Sequence, residues 1–399
     1  MKNKKIIVGV TGGIAAYKAA ELVRLLVGEG ASVKVAMTSH ATKFVTPLTF
    51  EALSGSRVVW DMWDDKTEPM DHITWGQDAD LIIIAPATAD FLSHMAHGIG
   101  SDFLSTLILA ATAKILVCPS MNVHMLSNPA VRENIRILRD RGYFVMDPAE
   151  GELACGTTGA GRLPEPADII QQSKMLLSDG DLSGLRILIT AGPTIEAIDP
   201  VRYITNRSSG KMGYALAAAA SLRGAEVTLI SGPTHLTPPK NVRLTRVKTA
   251  DEMKQAVFAC RDESDVIIKA AAVLDYKPRQ TAGHKIKKED GNQSLELVRT
   301  PDILEELGRT KENPRCLLVG FAAETEDLIS NASEKLARKN LDMIVANDVS
   351  RDDAGFETDT NLVRILYRNG EREDLPLMKK REVADHILGR IKRLWKNAS

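Results

Sequence analysis

Residues 6–37 read IIVGVTGGIAAYKAAELVRLLVGEGASVKVAM, and this stretch decides the fold. IIVGV (6–10) and SVKVAM (32–37) are short apolar runs of strand length. Between them, AAYKAAELVRLLVGEG spaces its apolar residues at the helical period, so one face of that helix is buried. A strand, a glycine turn, a helix and a second strand make a βαβ unit. Uninterrupted apolar strands separated by helices predict a parallel sheet covered on both faces.

The same alternation continues outward. LIIIAP (81–86) and ILVCP (115–119) read as further strands, and NPAVRENIRILRDRG as a helix. After SDGDLSG (178–184) the pattern restarts with RILIT (186–190), EVTLIS (226–231), DVIIKAAAV (265–273), CLLVGFAA (316–323) and DMIVAN (342–347). A chain of 399 residues is long for one core. Two doubly wound, Rossmann-like α/β domains are expected, 1–183 and 184–399.

Composition narrows the classes. The chain is 44% hydrophobic and 26% charged, with net charge −1, which argues against a general nucleic-acid binder. Its four cysteines, Cys118, Cys155, Cys260 and Cys316, include no C-x-x-C pair. That excludes a zinc ribbon and points to a reducing cytoplasm. MKNKKIIVGVTGGIAAYKAA superficially resembles a signal peptide, but Gly9, Thr11, Gly12 and Gly13 interrupt it. No run reaches the roughly 18 apolar residues of a membrane span, so no membrane partner is expected.

Two glycine turns suggest anion binding. GVTGGIAAYK (9–18) is not G-x-G-x-x-G, and no acidic residue ends the second strand, which disfavours a dinucleotide. A mononucleotide phosphate held by Thr11, Gly13 and Ser39 fits a helix N-terminus; tight strand–helix packing is the alternative. NRSSGKMG (206–213) fails as a P-loop, because Thr205 stands at the first glycine and Met212 at the Ser/Thr. Ser208, Ser209, Gly210 and Lys211 still precede a helix. A third stretch, GELACGTTGAGRL (151–163), sets Cys155 among four glycines with neither helical nor strand period.

Together these segments resemble a known family. TGGIAAYK, MDHI, APATAD, PSMN and ACGTTGAGRL stand in its order in the first half. AGPTIEAIDPVRYITNRSSGKMG, AAAVLDY, KIKK, GFAAET and KNLDMIVAND follow in the second. The family is that of bifunctional coenzyme A biosynthesis enzymes, which fuse a phosphopantothenoylcysteine decarboxylase to a phosphopantothenate–cysteine ligase. The chain departs from it at Thr11, where serine is frequent, and at Ser120, where PAMN is usual.

For the first half the resemblance implies a flavodoxin-like domain holding FMN through Thr11, Gly12, Gly13, Ser39, Ala85, Pro86, Ala87 and Thr88. Flavin chemistry answers a real difficulty. An ordinary cysteine carboxylate would lose CO₂ to leave an unstabilised carbanion, whereas a thioaldehyde can absorb the electrons. Cys155 would be the acid that protonates the product, carried on a glycine-rich flap. His72, after Asp71 as N-cap, would be the base. Asn122, at a strand end, would orient the substrate carboxylate.

For the second half the resemblance implies CTP with Mg²⁺ or Mn²⁺, an acyl-cytidylate, and attack by free cysteine. Catalytic residues would be Asn206 and Lys285. Lys335 and Lys339, four apart on a helix, would meet the triphosphate, although such pairs are ordinarily solvated charge. Asp275 would hold nucleotide or metal, Phe321 would stack on the base, and Pro301, Asp302, Ile303 and Leu304 would line the pocket. Lys269 would make contact by its backbone, beside Ala270 and Ala271. Trimers of the first half and dimers of the second would build a homo-dodecamer. Rival readings are a single-function flavoprotein cysteine decarboxylase with a non-catalytic second domain, and a nucleotide sensor.

Overall fold

The computed structural model of the chain describes residues 1–64, 67–152, 156, 158–287, 294–324, 328–348 and 358–398. It folds as two compact units, Met1–Asp179 and Gly180–Ser399, both doubly wound α/β.

The first unit runs β1 (Lys5–Val10), α1 (Ala16–Gly28), β2 (Ser32–Met37), α2 (Pro47–Ser54), β3 (Val58–Val59), α3 (Asp71–Asp78), β4 (Leu81–Ala87), α4 (Ala89–His97), α5 (Phe103–Ala110), β5 (Lys114–Pro119), α6 (Val123–Ser127), α7 (Pro129–Asp140), β6 (Phe144–Val145), β7 (Ala149–Glu152), β8 (Thr158–Arg162) and α8 (Pro166–Leu177). Its sheet is parallel in the order β3-β2-β1-β4-β5-β6, the Rossmann winding. Alternate residues feed opposite faces. Ile6, Val8 and Val10 pack with Leu22 and Ile169 on one side. Ile7, Ile82 and Ile84 meet Phe91, Phe103 and Leu107 on the other. Burying each of these large side chains contributes about 2 kcal/mol. The order turns back between β1 and β4, so the crevice for a ligand lies at their carboxyl ends.

The second unit runs β9 (Arg186–Ala191), β10 (Ile195–Ala197), β11 (Tyr203–Thr205), α9 (Lys211–Leu222), β12 (Glu226–Ser231), β13 (Val242–Arg246), α10 (Ala250–Cys260), β14 (Val266–Lys269), β15 (Tyr276–Pro278), β16 (Leu297–Arg299), α11 (Ile303–Arg309), β17 (Leu317–Glu324), α12 (Leu328–Arg338), β18 (Met343–Asp348), β19 (Thr360–Asn361), β20 (Val363–Tyr367), β21 (Arg372–Asp374), β22 (Met378–Lys379) and α13 (Lys380–Ala398). Its sheet order is β13-β12-β9-β14-β17-β18-β20-β21, parallel up to β18 and antiparallel beyond. Helices α9 and α13 cover one face with Leu216, Ala217, Val383 and Ile387. Helices α10, α11 and α12 cover the other with Met253, Leu307 and Ala332.

Two expectations need correction. The apolar run 265–273 is strand only to Lys269. Ala271 N–H then donates to Thr190 Oγ1 (3.1 Å) and Leu274 N–H to Thr194 Oγ1 (3.0 Å), so the segment leaves the sheet as a loop pinned by two buried threonines. GELACGTTGAGRL, read as having no strand period, contributes β7 and β8 of an antiparallel hairpin. Backbone pairing needs no side-chain alternation, and glycines permit the close approach.

Candidate functional site

In the first unit a cavity of about 650 Å³ opens at the β1/β4 crevice, a size suited to a bound cofactor. Its walls come from the turn after β1 (Gly12, Gly13, Ile14, Lys18), the exit of β4 (Pro86, Thr88), the exit of β5 (Ser120, Met121, Asn122) and β8 (Gly161, Arg162). The hairpin is tied to that exit, since Met121 N–H donates to Gly161 O at 2.9 Å. Gly12 is required by contact: a Cβ there would lie 2.4 Å from His40 Cβ.

Thr11 does not line the cavity. Its buried hydroxyl donates to Pro86 O (2.7 Å) and accepts from Thr88 N–H (3.0 Å), clamping the β1 turn to the β4 exit. The direct phosphate grip expected of Thr11 is therefore corrected to a positioning role. Gly13 N–H closes on Thr11 O at 3.1 Å, turned into its own loop. Ser39 is exposed and outside the lining, as its strand ends one turn away. Ala85 and Ala87 are wholly buried in β4, so of APATAD only Pro86, Thr88 and Ala89 reach the cavity.

Asn122 lines the cavity and caps α6, its Oδ1 accepting from His124 N–H at 2.8 Å. His72 is half-buried in the first turn of α3 and is not among the lining residues. Asp71 is not the cap of that helix, which is Met70. The Asp71 carboxylate is instead engaged by Arg57 and by Glu68 N–H (3.0 Å). Cys155 lies outside the described residues. Cys118 and Cys316 are buried, which pushes both thiols up, Cys316 to about 11.

In the second unit a cavity of about 360 Å³ sits at the carboxyl ends of β14, β17 and β18. It gathers Asn206, Lys269, Ala270, Ala271, Asp275, Pro301, Asp302, Ile303, Leu304, Phe321, Lys335 and Lys339. Asn206 Nδ2 donates to Val273 O (3.2 Å) and Ala272 O (3.4 Å), fixing the loop beyond β14. Asp302 caps α11 through Glu305 N–H (3.1 Å) and pairs with Lys339 (2.7 Å). Burial pushes its carboxyl up, but Lys339 and the capped N–H outweigh it and hold Asp302 below the ordinary carboxylate range. Lys269 is buried, and desolvation is the main cause of its fall to about 8.

Lys285 is absent from this cavity. It is exposed beyond β15, in a loop anchored by its neighbour: Ile286 N–H donates to Asp199 Oδ2 at 3.2 Å, and Arg202 Nη2 donates to Ile286 O at 3.0 Å. The expectation that it faces the triphosphate is not met within this chain. Conversely, Lys211, Asn347, Asn361 and Lys380 line the cavity. The glycine turn before Lys211 and the segment KNLDMIVAND, which contains Asn347, signalled those two; nothing local signalled Asn361 or Lys380. Among the described residues no cluster of three His, Cys, Asp or Glu could hold a metal. No helix among them is long and apolar enough to cross a membrane.

Residues 1–178 match the model of the family described as Flavoprotein, and residues 182–394 that of the DNA/pantothenate metabolism flavoprotein C-terminal domain. The chain is 49% identical over 401 residues to the coenzyme A biosynthesis bifunctional protein CoaBC of Bacillus subtilis, covering 99% of this chain and 98% of the relative. The chain belongs to this family of bifunctional coenzyme A biosynthesis proteins. Its Escherichia coli (strain K12) relative of the same name is 44% identical over 396 residues, covering 98% of this chain and 97% of that one. A crystal structure of the C-terminal domain of such a protein matches with TM-score 0.48 at 46% identity, covering 55% of this chain and 100% of that domain. The chain is accordingly an enzyme with a flavoprotein decarboxylase part and a ligase part.

Proposed function

We propose that residues 184–399 ligate cysteine to 4′-phosphopantothenate at the expense of CTP, and that residues 1–183 decarboxylate the product with FMN to 4′-phosphopantetheine. One observation carries the ligase reading. Residues from five separate segments, Asn206, Lys269 with Asp275, Asp302, Phe321, and Lys335 with Lys339, converge on one cavity at strand carboxyl ends.

In that cavity Lys335, Lys339 and Lys269 neutralise the charge that grows as pyrophosphate leaves. Asp275 is the carboxylate available to Mg²⁺, an ion that takes most of its remaining ligands from phosphate and water. Asn206, anchored to the loop beyond β14, holds the carboxylate that becomes the acyl-cytidylate. The phenyl ring of Phe321 offers a face to the base.

The first cavity fits a flavin by size and by its position at a helix N-terminus. Gly12, Pro86 and Thr88 would hold FMN, which when bound would take two electrons from the substrate as its thiol is oxidised and return them after CO₂ is lost. Asn122 orients the carboxylate to be lost and Cys155 returns a proton to the product, while His72, which does not line this chain's own cavity, would take the thiol proton in a cavity it reaches from a neighbouring copy of the assembly. Leu48 and Trp63, 71% and 87% exposed, are apolar surface that assembly would cover. In the proposed assembly this unit forms trimers within a cytoplasmic dodecamer.

The purified chain should show flavin absorbance. Given CTP and 4′-phosphopantothenate without cysteine, it should release pyrophosphate. A folded, colourless preparation that takes up no FMN would overturn the first half of the proposal, and absence of pyrophosphate the second.

A further inference from the structure

Two buried side chains of the second cavity have no part in the chemistry above. Asn347, 8% exposed, stands near the end of β18, and Asn361, 3% exposed, in β19. Asn347 lies on the face of β18 that Met343 and Val345 share, and Asn361, in the separate β19–β22 pair, reaches the same side, its Nδ2 donating to Met212 Sδ at 3.6 Å. It is the face under α9 and α13, because Met343, Val345, Val363 and Ile365 in the same rows belong to that core. Neither Oδ1 has a hydrogen-bond partner among the described residues. A buried acceptor left unpaired is costly, and a donor on a ligand removes the cost.

The surroundings of these oxygens are cationic. Lys211 and Lys380 are the first residues of α9 and α13, helices of 12 and 19 residues that pack together with their positive ends at this corner. Lys380 is 6% exposed and donates to Thr358 O at 2.6 Å, and Lys211 pairs with Asp359 at 2.7 Å. Desolvation brings Lys380 down to about 8, Lys211 pushes it the same way, and Asp359 pulls it back. An added anion would relieve that crowding.

Two helix N-termini and two lysines favour a carboxylate, while two neutral oxygens seek N–H donors. An α-amino acid carries both groups on one carbon. We infer that this corner is the subsite for the free amino acid consumed by the ligase: the cysteine carboxylate meets Lys380 and the starts of α9 and α13, and its amine meets Asn347 and Asn361. The inference rests on the ligase reading given above. Neutral acceptors suit the task, because a carboxylate partner would stabilise the ammonium, whereas the attacking amine must be unprotonated.

The test uses the full chain and its Asn361→Leu and Lys380→Gln variants, the glutamine keeping a donor for Thr358 O. Initial rates are measured against cysteine concentration at saturating CTP and 4′-phosphopantothenate. Pyrophosphate release is measured separately without cysteine, against CTP concentration. The KM for cysteine should rise by about tenfold or more in each variant, the scale of one lost charge-assisted contact. The KM for CTP in the cysteine-free release should move far less. A rise confined to CTP would assign the corner to the nucleotide and overturn the inference, as would a parental KM for cysteine in both variants. If circular dichroism shows Asn361→Leu unfolded, Lys380→Gln decides alone. A parental chain that releases no pyrophosphate would sink the ligase reading and the subsite with it.

Discussion

Replacing Lys269 with methionine removes a charge from the floor of the second cavity while keeping the length of the side chain. Lys269 is 8% exposed, and burial is the main reason its ammonium titrates at about 8 rather than at 10.5. Asp302 and Asp275 oppose that displacement, and Lys339 adds to it. At 1.36 kcal/mol per pH unit, holding the charge in the folded state costs about 3 kcal/mol. Below pH 8 folded and unfolded chains both carry the proton, and folding bears the whole cost. Between about 8 and 10.4 the unfolded chain binds more protons, so the cost fades as pH rises. Methionine is neutral at every pH. Asp302 loses one cation but keeps Lys339 at 2.7 Å, so the attraction forfeited is partial. The variant should therefore unfold in urea at pH 7 with a free energy about 1–3 kcal/mol above the parent, a difference that shrinks towards pH 10. On the ligase reading proposed above, in which the Lys269 ammonium faces the triphosphate, its affinity for CTP should fall about tenfold or more. Urea transitions followed by circular dichroism at pH 7 and pH 10 measure the first effect, and equilibrium titration with CTP the second. A variant at pH 7 no more stable than the parent would refute the assignment of Lys269 as a buried, strained cation.

Gly308→Ala should separate α11 from the end of α12, because a Cβ there would lie 1.9 Å from Lys339 O. Overpacking of about 1–3 kcal/mol exceeds the helix-propensity gain of about 1 kcal/mol; differential scanning calorimetry should show a lower melting temperature and kinetics a raised KM for CTP. Thr11→Val should leave Thr88 N–H without its acceptor and Pro86 O with only the backbone N–H of residue 11 (3.3 Å), costing about 1–3 kcal/mol. Flavin content per chain, read by absorbance, should drop, and parental content would sink the clamp. Cys155→Ser should complete oxidation and decarboxylation but stall before product protonation. Mass spectrometry should then find substrate less CO₂ and two hydrogens, and normal multiple turnover would remove Cys155 from the role of acid.

Much of this molecule was decided locally. The βαβ order of residues 6–37, the restart at RILIT and the parallel sheets follow from runs too short for helices alternating with helical periods. Backbone hydrogen bonding and burial leave such runs few other arrangements. The motif segments that resemble the family also marked most of the second cavity, since residues at strand carboxyl ends meet wherever the strands lie side by side.

Tertiary structure decided which polar groups face a ligand. KIKK looked like a phosphate grip, yet Lys285 is exposed outside the cavity while Lys211 and Lys380, 169 positions apart in the numbering, begin two packed helices at its edge. Thr11 sits in a phosphate-type turn, but Pro86 O and Thr88 N–H, from a strand exit 75 and 77 positions on, occupy its hydroxyl. Asn347 ends the apolar run DMIVAN, but nothing local marks Asn361, and the two meet at one cavity only once β18 and the β19–β22 pair come together. A residue's own neighbours in sequence set its backbone conformation. What its side chain touches is set by segments that arrive from elsewhere, and only the folded chain says which ones those are.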